Sequence, residues 1–283
     1  MKLMIKIGFI LVALAAAFFF AYNNVSDADQ NQKEAQGLTK VADLPKEVEE
    51  SSGIVALPEQ GQYLTHNDAG NKPYLFQIDN KGKIQQTHKL SLPNVDWEDL
   101  AADTNGNIYI ADTGNNDNDR KELAVYKAPI DNLSKLQSIR FTYEDQEEYP
   151  PSKKDRNFDC EAVFWHDGNL YLISKDRGRK ETAKVYRLPD QPGQHQAKLL
   201  GEIKINTLIT SADVSPSGDK VVLLSEGQLH MFNDVSDVAT FYKQDYENIS
   251  LPGTGQTEAV AFEDANTLVI TSEGGSLYKY SLN

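Results

Sequence analysis

Cysteine and positive charge are both scarce in this sequence. Cys160 is the only cysteine, so the chain can form no intramolecular disulfide and has no zinc site built from several cysteines. Because Cys160 lies inside an apolar strand pattern, we expect a buried, unreactive thiol. Lys and Arg number 28 against 42 Asp and Glu, which gives a formal net charge of -14. A surface this acidic repels phosphate backbones, so we expect cations or basic partners and no nucleic acid.

Common catalytic motifs are also missing. The sequence has no Gly-x-Ser-x-Gly elbow, no phosphate-binding loop and no His-Glu-x-x-His, so these motifs give no support to an enzyme, and we assign no catalytic residue. The Asp/Asn-rich stretch from Asp112 to Arg120 is similar to a calcium-binding loop. It has Asp117 where such loops need glycine and Leu123 where they need glutamate, and we therefore interpret it as a hairpin loop.

One long apolar run lies at the N-terminus, from Ile7 to Tyr22, behind Lys2 and Lys6. Two lysines without an acidic residue predict a cytoplasmic N-terminus and export of the rest of the chain. Residues 1–22 are therefore predicted to be a signal anchor, with a cleaved signal peptide as the alternative. Residues 23–37 are polar or small and are predicted to be a disordered tether. We expect the protein at the periplasmic or extracellular face of the membrane, held there by this segment, or secreted if the segment is cleaved.

Residues 38–283 have the pattern of one all-β domain. Short apolar or alternating segments are cut by turn residues, and no segment keeps a helical period. A repeat beginning at 97, 159 and 256, with weaker copies at 51 and 211, recurs every 45 to 65 residues or so, near the roughly 40 to 50 residues of a propeller blade. The sequence therefore predicts a five-bladed β-propeller, with an open-sided sandwich as the alternative.

The two ends of this domain complement each other. The fifth unit stops at Asn283 after three strands, whereas residues 38–44 form a strand pattern that belongs to no unit. Pairing this N-terminal strand with the last unit would close the ring and remove an exposed sheet edge. We therefore predict a propeller that is closed by its N-terminal strand.

Acidic residues recur at the start of the repeats. The first strand of each blade lines the central channel, so equivalent positions meet at one mouth. Carboxylates brought this close repel one another unless they share a cation or a proton. We therefore predict a Ca²⁺ site formed by Glu98, Glu161, Glu258 and Asp213. The alternative is that these acids only cap strand ends and bind loop amides.

The ends of the second strands bring further polar residues to the same mouth. Carboxylates, amides, a histidine and a lysine-arginine pair could together hold a metal and an anionic or sugar-like ligand. The predicted ligand-binding residues are His66, Asn67, Asp68, Asp112, Asn115, Lys175, Arg177 and Glu273. For His66, a hydrogen-bonding role in a turn is the main alternative.

Several motifs taken together resemble a known group. They are Glu50-Ser51-Ser52-Gly53, His66-Asn67-Asp68-Ala69-Gly70, Asp96-Trp97-Glu98-Asp99, Gly114-Asn115-Asn116, Asp159-Cys160-Glu161-Ala162 and Gln256-Thr257-Glu258-Ala259. As a set they look like uncharacterised exported bacterial β-propeller proteins, distantly similar to SdiA-regulated and NHL-type propellers. This resemblance implies export and a propeller, and it carries no established activity.

Three functions remain open from the sequence. The first is a membrane-tethered, monomeric propeller that binds a small molecule or a protein at its acidic channel mouth with a divalent cation. The second is a metal-dependent hydrolase of the lactonase, esterase or phytase-like kind that uses the same mouth. The third is an interaction scaffold without a small-molecule site.

Overall fold

The computed structural model describes residues 32–34 and 37–282. The described chain consists of β-strands with three short 3₁₀ helices at Lys46–Val48, Lys153–Asp155 and Val238–Lys243. The strands are β1 Gln32–Glu34, β2 Leu38–Asp43, β3 Ser51–Ala56, β4 Gln62–Asn67, β5 Tyr74–Asp79, β6 Ile84–Lys89, β7 Trp97–Ala102, β8 Asn107–Asp112, β9 Leu123–Pro129, β10 Gln137–Tyr143, β11 Asp159–His166, β12 Asn169–Lys175, β13 Thr182–Pro189, β14 Gly193–Lys204, β15 Ile209–Val214, β16 Val221–Ser225, β17 Gln228–Phe232, β18 Glu247–Ser250, β19 Thr257–Asp264, β20 Thr267–Ser272 and β21 Ser276–Ser281. The prediction of an all-β chain is confirmed.

The strands follow one another as antiparallel meanders of four. Unit 1 is β3 to β6, unit 2 is β7 to β10, unit 3 is β11 to β14 and unit 4 is β15 to β18. Unit 5 consists of β19, β20, β21 and the N-terminal strand β2. Units 2 and 3 are joined into one eight-stranded sheet, because their last strands β10 and β14 pair in parallel.

The first strand of each unit lies at the centre. These strands contact in the cyclic order β3, β7, β11, β15, β19 and back to β3. They are buried over most of their length, whereas an outer strand such as β6 is half exposed. Five hydrophobic clusters fill the space between neighbouring units, and each takes its side chains from two of them. The apolar runs in the sequence are therefore the parts of the strands that face two neighbours at once.

The N-terminal strand completes unit 5. β2 pairs antiparallel with β21, with Leu38 opposite Tyr280 and Asp43 opposite Ser276. Just after β2, the Leu44 amide donates to the Gly275 carbonyl at 2.7 Å. The predicted pairing of this strand with the last unit is thus confirmed.

The structure departs from the sequence prediction in two segments. Gln32–Glu34 lies within the predicted tether and forms β1, which pairs in parallel with β18. A sheet edge accepts any extended backbone, so polar side chains do not prevent this pairing. The stretch from 239 to 251 has a sequence pattern that predicts one strand, but it begins with a 3₁₀ helix and is a strand only over Glu247–Ser250. Asp237 caps this helix by accepting from the Ala239 amide.

Two further predictions concern the core thiol and the N-terminal leader. Cys160 is a free cysteine without solvent exposure, and burial raises the pKa of its thiol, so it is unreactive in the folded protein. The predicted signal anchor, residues 1–22, lies outside the described residues. Among the residues that are described, no helix has the length and apolar character to cross a membrane.

Candidate functional site

A β-bulge occurs at the same place in every central strand. The pairing register shifts by one residue near the start of β3, β7, β11, β15 and β19. The extra residues are Ser52, Glu98, Glu161, Thr210 and Glu258. Because a bulge turns its side chain out of the regular alternation, these residues can face one end of the central channel. All of them except Thr210 line one cavity there.

We call this cavity the acidic mouth. It has a volume of about 370 Å³. Its lining consists of Glu50, Ser52, Asp68, Ala69, Glu98, Asn116, Glu161, Lys175, Arg177, Gln256, Glu258 and Glu273. Six of these residues carry carboxylates and only two are cationic, so the cavity favours positively charged occupants.

Asp213 does not belong to the acidic mouth. The repeat pattern in the sequence makes Ala212 the equivalent of Glu98. The bulge of β15 instead falls at Thr210, two residues earlier. Asp213 lies toward the other end of β15, where its carboxylate accepts from the amides of Val214 and Phe262, each at 2.8 Å. The repeat pattern misplaces Asp213 because this repeat has a threonine instead of an acid at the bulge. A bulge is a feature of the backbone, and the side-chain pattern does not reveal it.

Asp68, Asp96 and Glu98 form a cluster of carboxylates, and Asp68 and Glu98 of this cluster line the acidic mouth. Each offers an oxygen that lies within 4.8 Å of the other two. Glu98 is only 6% exposed, and no described residue gives its carboxylate a hydrogen bond or a direct ion pair, although Arg177 attracts it from a greater distance. Burial raises its pKa well above the usual value, and the neighbouring Glu161 raises it further. Burial, followed by Asp68, raises the pKa of Asp96 to about 6.

Gly114 makes this close approach of carboxylates possible. Its amide donates to the Asp96 carbonyl at 3.1 Å, which holds the loop after β8 against the start of β7. A Cβ atom at residue 114 would overlap the carboxylates of both Glu98 and Asp96. Any larger residue at 114 would therefore push at least one of the two carboxylates out of the cluster.

A second carboxylate cluster consists of Glu98, Asp159 and Glu161, but basic groups compensate two of its members. Lys175 Nζ donates to Glu161 Oε2 at 2.5 Å, and Arg177 Nε donates to Asp159 Oδ2 at 2.5 Å. Arg177 also donates to Glu161. Burial and Asp159 raise the pKa of Glu161, whereas Lys175 and Arg177 lower it. Glu98 is thus the member of this cluster that forms no direct ion pair with a described residue.

Of the other predicted residues, some reach the acidic mouth and some do not. Asp68, Lys175, Arg177 and Glu273 line it, as do Glu98, Glu161 and Glu258. Glu258 accepts from Gln256 at 2.8 Å and belongs to neither carboxylate cluster. His66, Asn67, Asp112 and Asn115 are buried in the structure around the cavity and are not part of its lining.

These four buried residues hold loops in place. Asp112 accepts from Arg120 at 2.9 Å within the β8–β9 loop. Asn115 donates its side-chain amide to the Phe158 carbonyl at 3.1 Å, while its backbone amide donates to Asp159 Oδ1 at 2.6 Å. Asn67 donates to the Glu47 carbonyl at 2.8 Å. Such bonds satisfy buried polar groups and position the carboxylates from behind.

His66 is completely buried. Its Nδ1 lies 3.0 Å from the Asn67 carbonyl, and its ring packs edge to face on Trp97 with the centroids 5.4 Å apart. Burial lowers its pKa to about 4, so the ring is neutral at pH 7. This geometry supports the structural alternative that the sequence left open for His66.

The burial of His66 predicts a loss of stability in acid. The folded-state pKa of about 4 lies below the ordinary value of 6.5, so the unfolded chain binds the proton more tightly. The free energy of unfolding should therefore fall as the pH drops from about 6.5 to about 4, by roughly 3 kcal/mol from this residue. Urea unfolding of the wild type and of His66→Gln at pH 7 and pH 4 measures this contribution. If the stability difference between the two proteins does not change with pH, His66 does not titrate in this way.

The sequence places Asp96 and Glu50 beside the ring of acids, although neither is among the predicted metal or ligand-binding residues. Asp96 stands two residues before Glu98 and is absent from the predicted metal ligands, although it completes the carboxylate cluster. Glu50 accepts from the side-chain amide of Asn71 at 2.6 Å and lies on the rim. An acid at spacing two from a bulge residue, followed by a Gly-Asn-Asn loop, is the signal that could have identified Asp96.

The interior of the channel is closed by polar side chains. Asp99, the residue after the bulge in β7, accepts from the Val163 amide at 3.0 Å and from the Ser211 hydroxyl at 3.2 Å. Ser211 in turn accepts from the Val260 amide at 3.1 Å. These bonds tie β7, β11, β15 and β19 together across the centre. The acidic mouth and the opposite end of the channel are therefore separate cavities.

No family model and no curated protein sequence matches the chain. Among solved structures, the PQQ-bound aldose sugar dehydrogenase of Streptomyces coelicolor is similar over 88% of this chain and 99% of its own, at 10% identity and a TM-score of 0.50. The WD40 β-propeller domain of Doa1 is similar over 87% of this chain and 69% of its own, at 12% identity and a TM-score of 0.41. A virginiamycin B lyase from Staphylococcus aureus, 13% identical, covers 85% of this chain and 69% of its own at a TM-score of 0.42.

The similarity to the sugar dehydrogenase, at a TM-score of 0.50, concerns the fold alone. It carries no ligand or activity to this chain. The resemblance to SdiA-regulated and NHL-type propellers stays a prediction. The chain is an all-β protein of the β-propeller type.

Proposed function

We propose that this protein is a five-bladed β-propeller, held at the outer face of a membrane, that binds a ligand or partner at its acidic mouth with the help of a divalent cation. The cyclic contacts of the five central strands and the completion of unit 5 by β2 support the blade count. The apolar leader behind two lysines supports export.

One observation carries the proposal, namely the carboxylate of Glu98. It is buried and faces a cavity, and no described residue gives it a hydrogen bond or a direct ion pair, since Arg177 bonds to Asp159 and Glu161 instead. Keeping such a charge out of water costs several kcal/mol unless it binds a proton or a cation. Asp96 and Asp68 beside it add two more carboxylates. A divalent cation would compensate most of this charge at once.

The chemistry of the cluster favours a hard cation. All three groups are carboxylates, and no histidine or cysteine joins them. Oxygen ligands of this kind suit Ca²⁺ and Mg²⁺, and Ca²⁺ accepts the less regular arrangements. The cluster uses one wall of a cavity of about 370 Å³, which leaves space for a ligand next to the cation. Glu258, Gln256 and Asn116 supply hydrogen-bonding groups around that space.

Calorimetric titration of the purified full-length protein with CaCl₂ and MgCl₂, after EDTA treatment, tests the proposal. We expect one site per chain and a rise in melting temperature on adding Ca²⁺. Gly114→Ala should lower the affinity at least about tenfold, because the new methyl group separates Glu98 from Asp96. Gln256→Ala changes an exposed residue of the same cavity and should alter the affinity less than about twofold.

Two results would count against a cation site. The first is a wild-type protein that shows neither heat nor a shift in melting temperature with millimolar Ca²⁺ or Mg²⁺. The second is a Gly114→Ala protein that folds normally and binds Ca²⁺ as tightly as the wild type. With either result, binding of a basic partner would remain as the proposed function of the acidic mouth.

A further inference from the structure

A second cavity lies at the other end of the central channel, which we call the distal mouth. The ends of the same central strands form it, and its volume is about 430 Å³. Its walls include Val55, Ala56, Trp165, Val214 and Phe262, and Asp213 lies among them. Since Asp99 and Ser211 close the interior of the channel, this cavity is independent of the acidic mouth.

The side chains of the distal mouth are fixed in place. The indole N–H of Trp165 donates to Asp190 Oδ2 at 2.9 Å, which holds the ring at the edge of the cavity. The ring of His166 lies against Gly218, where a Cβ atom would come within 2.7 Å of it. Asp103 accepts from the Asn107 amide at 2.8 Å and from the Tyr109 hydroxyl at 3.0 Å. These contacts fix the positions of Trp165, His166 and Asp103 around the cavity.

Asp213 is a carboxylate of this cavity that has no cationic partner among the described residues. Each of its oxygens accepts one backbone amide, from Val214 and from Phe262, and a carboxylate oxygen can accept a second bond. The lining contains Asp103, Asp167 and His166 but neither lysine nor arginine. Burial raises the pKa of Asp213 to about 7, as expected for a carboxylate that lacks a cation.

We propose that the distal mouth binds a small ligand that joins an aromatic or other apolar group to a protonated amine. Asp213 is the counter-ion of the amine, and Trp165 and Phe262 contact the apolar group. A volume of about 430 Å³ lies within the usual range of small-molecule sites. The acidic lining disfavours anions, and the aromatic walls favour a cation over a neutral molecule of the same size.

Phenethylamine is the probe, with 3-phenylpropionate and 2-phenylethanol as anionic and neutral molecules of similar size. The two tryptophans make the readout specific. Trp165 lines the distal mouth, whereas Trp97 is fully buried elsewhere and donates its indole N–H to the Pro93 carbonyl at 3.1 Å. In indole N–H spectra of the full-length protein at pH 8, phenethylamine should shift the Trp165 signal and leave that of Trp97 unchanged. Its affinity should exceed that of 3-phenylpropionate at least tenfold.

Asp213→Asn should weaken phenethylamine binding at least tenfold. Glu98→Gln removes one carboxylate from the acidic mouth and should leave the binding unchanged. If Asp213→Asn fails to fold, comparing the affinities of the three probes for the wild-type protein still tests the proposal. Equal binding of the amine and the acid, no Trp165 shift at about 10 mM phenethylamine, or an equal loss in Glu98→Gln would each overturn the proposal.

Discussion

Glu98→Gln is expected to lower the Ca²⁺ affinity of the purified protein by about 30-fold or more, which corresponds to roughly 2 kcal/mol. The substitution keeps the shape of the side chain and removes one of three carboxylates that lie within 4.8 Å of each other. The Ca²⁺-dependent rise in melting temperature should shrink in proportion. Calorimetric titration and thermal unfolding of the same samples measure both effects.

Without Ca²⁺, the same substitution should stabilise the protein. The folded-state pKa of Glu98 lies above its ordinary value of 4.5, so the folded protein binds this proton more tightly than the unfolded chain. The free energy of unfolding of the wild type therefore decreases as the pH rises above about 4.5, and Glu98→Gln does not show this decrease. In EDTA, the free energy of unfolding of the variant should increase relative to that of the wild type between pH 4 and pH 7.

Glu258→Gln is the matched control for Glu98→Gln. Glu258 occupies the same bulge position and lines the same cavity, but it lies outside both carboxylate clusters. We expect its loss to change the Ca²⁺ affinity less than about threefold. If Ca²⁺ binding is unchanged in Glu98→Gln and strongly reduced in Glu258→Gln, the cation lies elsewhere in the mouth.

Deletion of residues 1–44 is expected to destabilise the domain by about 4 kcal/mol or more. The deletion removes β2, which leaves β21 as an unpaired edge, and it removes the buried Leu44 from the cluster between units 5 and 1. Lost burial of one leucine contributes roughly 2 kcal/mol, and the lost strand bonds and packing contribute the rest. Urea unfolding followed by far-UV circular dichroism measures the change.

Deletion of residues 1–36 is the control for this experiment. It removes β1, which pairs with β18 over three residues, and it leaves β2 in place. We expect a loss below about 1 kcal/mol, because so short a parallel pairing buries little. Equal stability of the two shortened proteins would show that β2 does not hold the domain closed.

The repeat made much of the fold predictable from the sequence. Runs such as Asn107–Asp112 and Asn169–Lys175 are apolar because they are packed on both faces, and burial on both faces is visible as a continuous apolar run. The missing last strand was equally visible, since one unit was short and one strand pattern was left over. The 3₁₀ helix at Val238–Lys243 was not, because its buried Phe241 is as apolar as a strand residue would be.

The candidate site was predictable only in part. Glu98, Glu161 and Glu258 stand at matching places in the repeat, and the bulge does bring them to one mouth. Which of them lacks a direct ion pair depends on Lys175, at the end of the neighbouring strand β12, and on Arg177 in the loop after it, both of which reach Glu161. Sequence spacing does not show such a pairing, so Glu161 and Glu98 looked equivalent although their surroundings differ.

The parallel pairing of β10 with β14 has a consequence for the motions of the domain. The first half of β14 pairs with β10, and its second half pairs with β13, so amides of β10 and β14 have bonding partners that outer strands such as β6 lack. We expect these amides to exchange with deuterium more slowly than those of β6. Glu98, Glu161 and Lys175 all belong to this eight-stranded sheet, whereas Glu258 belongs to the sheet that the two ends of the chain complete. We therefore expect the part of the acidic mouth formed by Glu98, Glu161 and Lys175 to be more rigid than the part formed by Glu258.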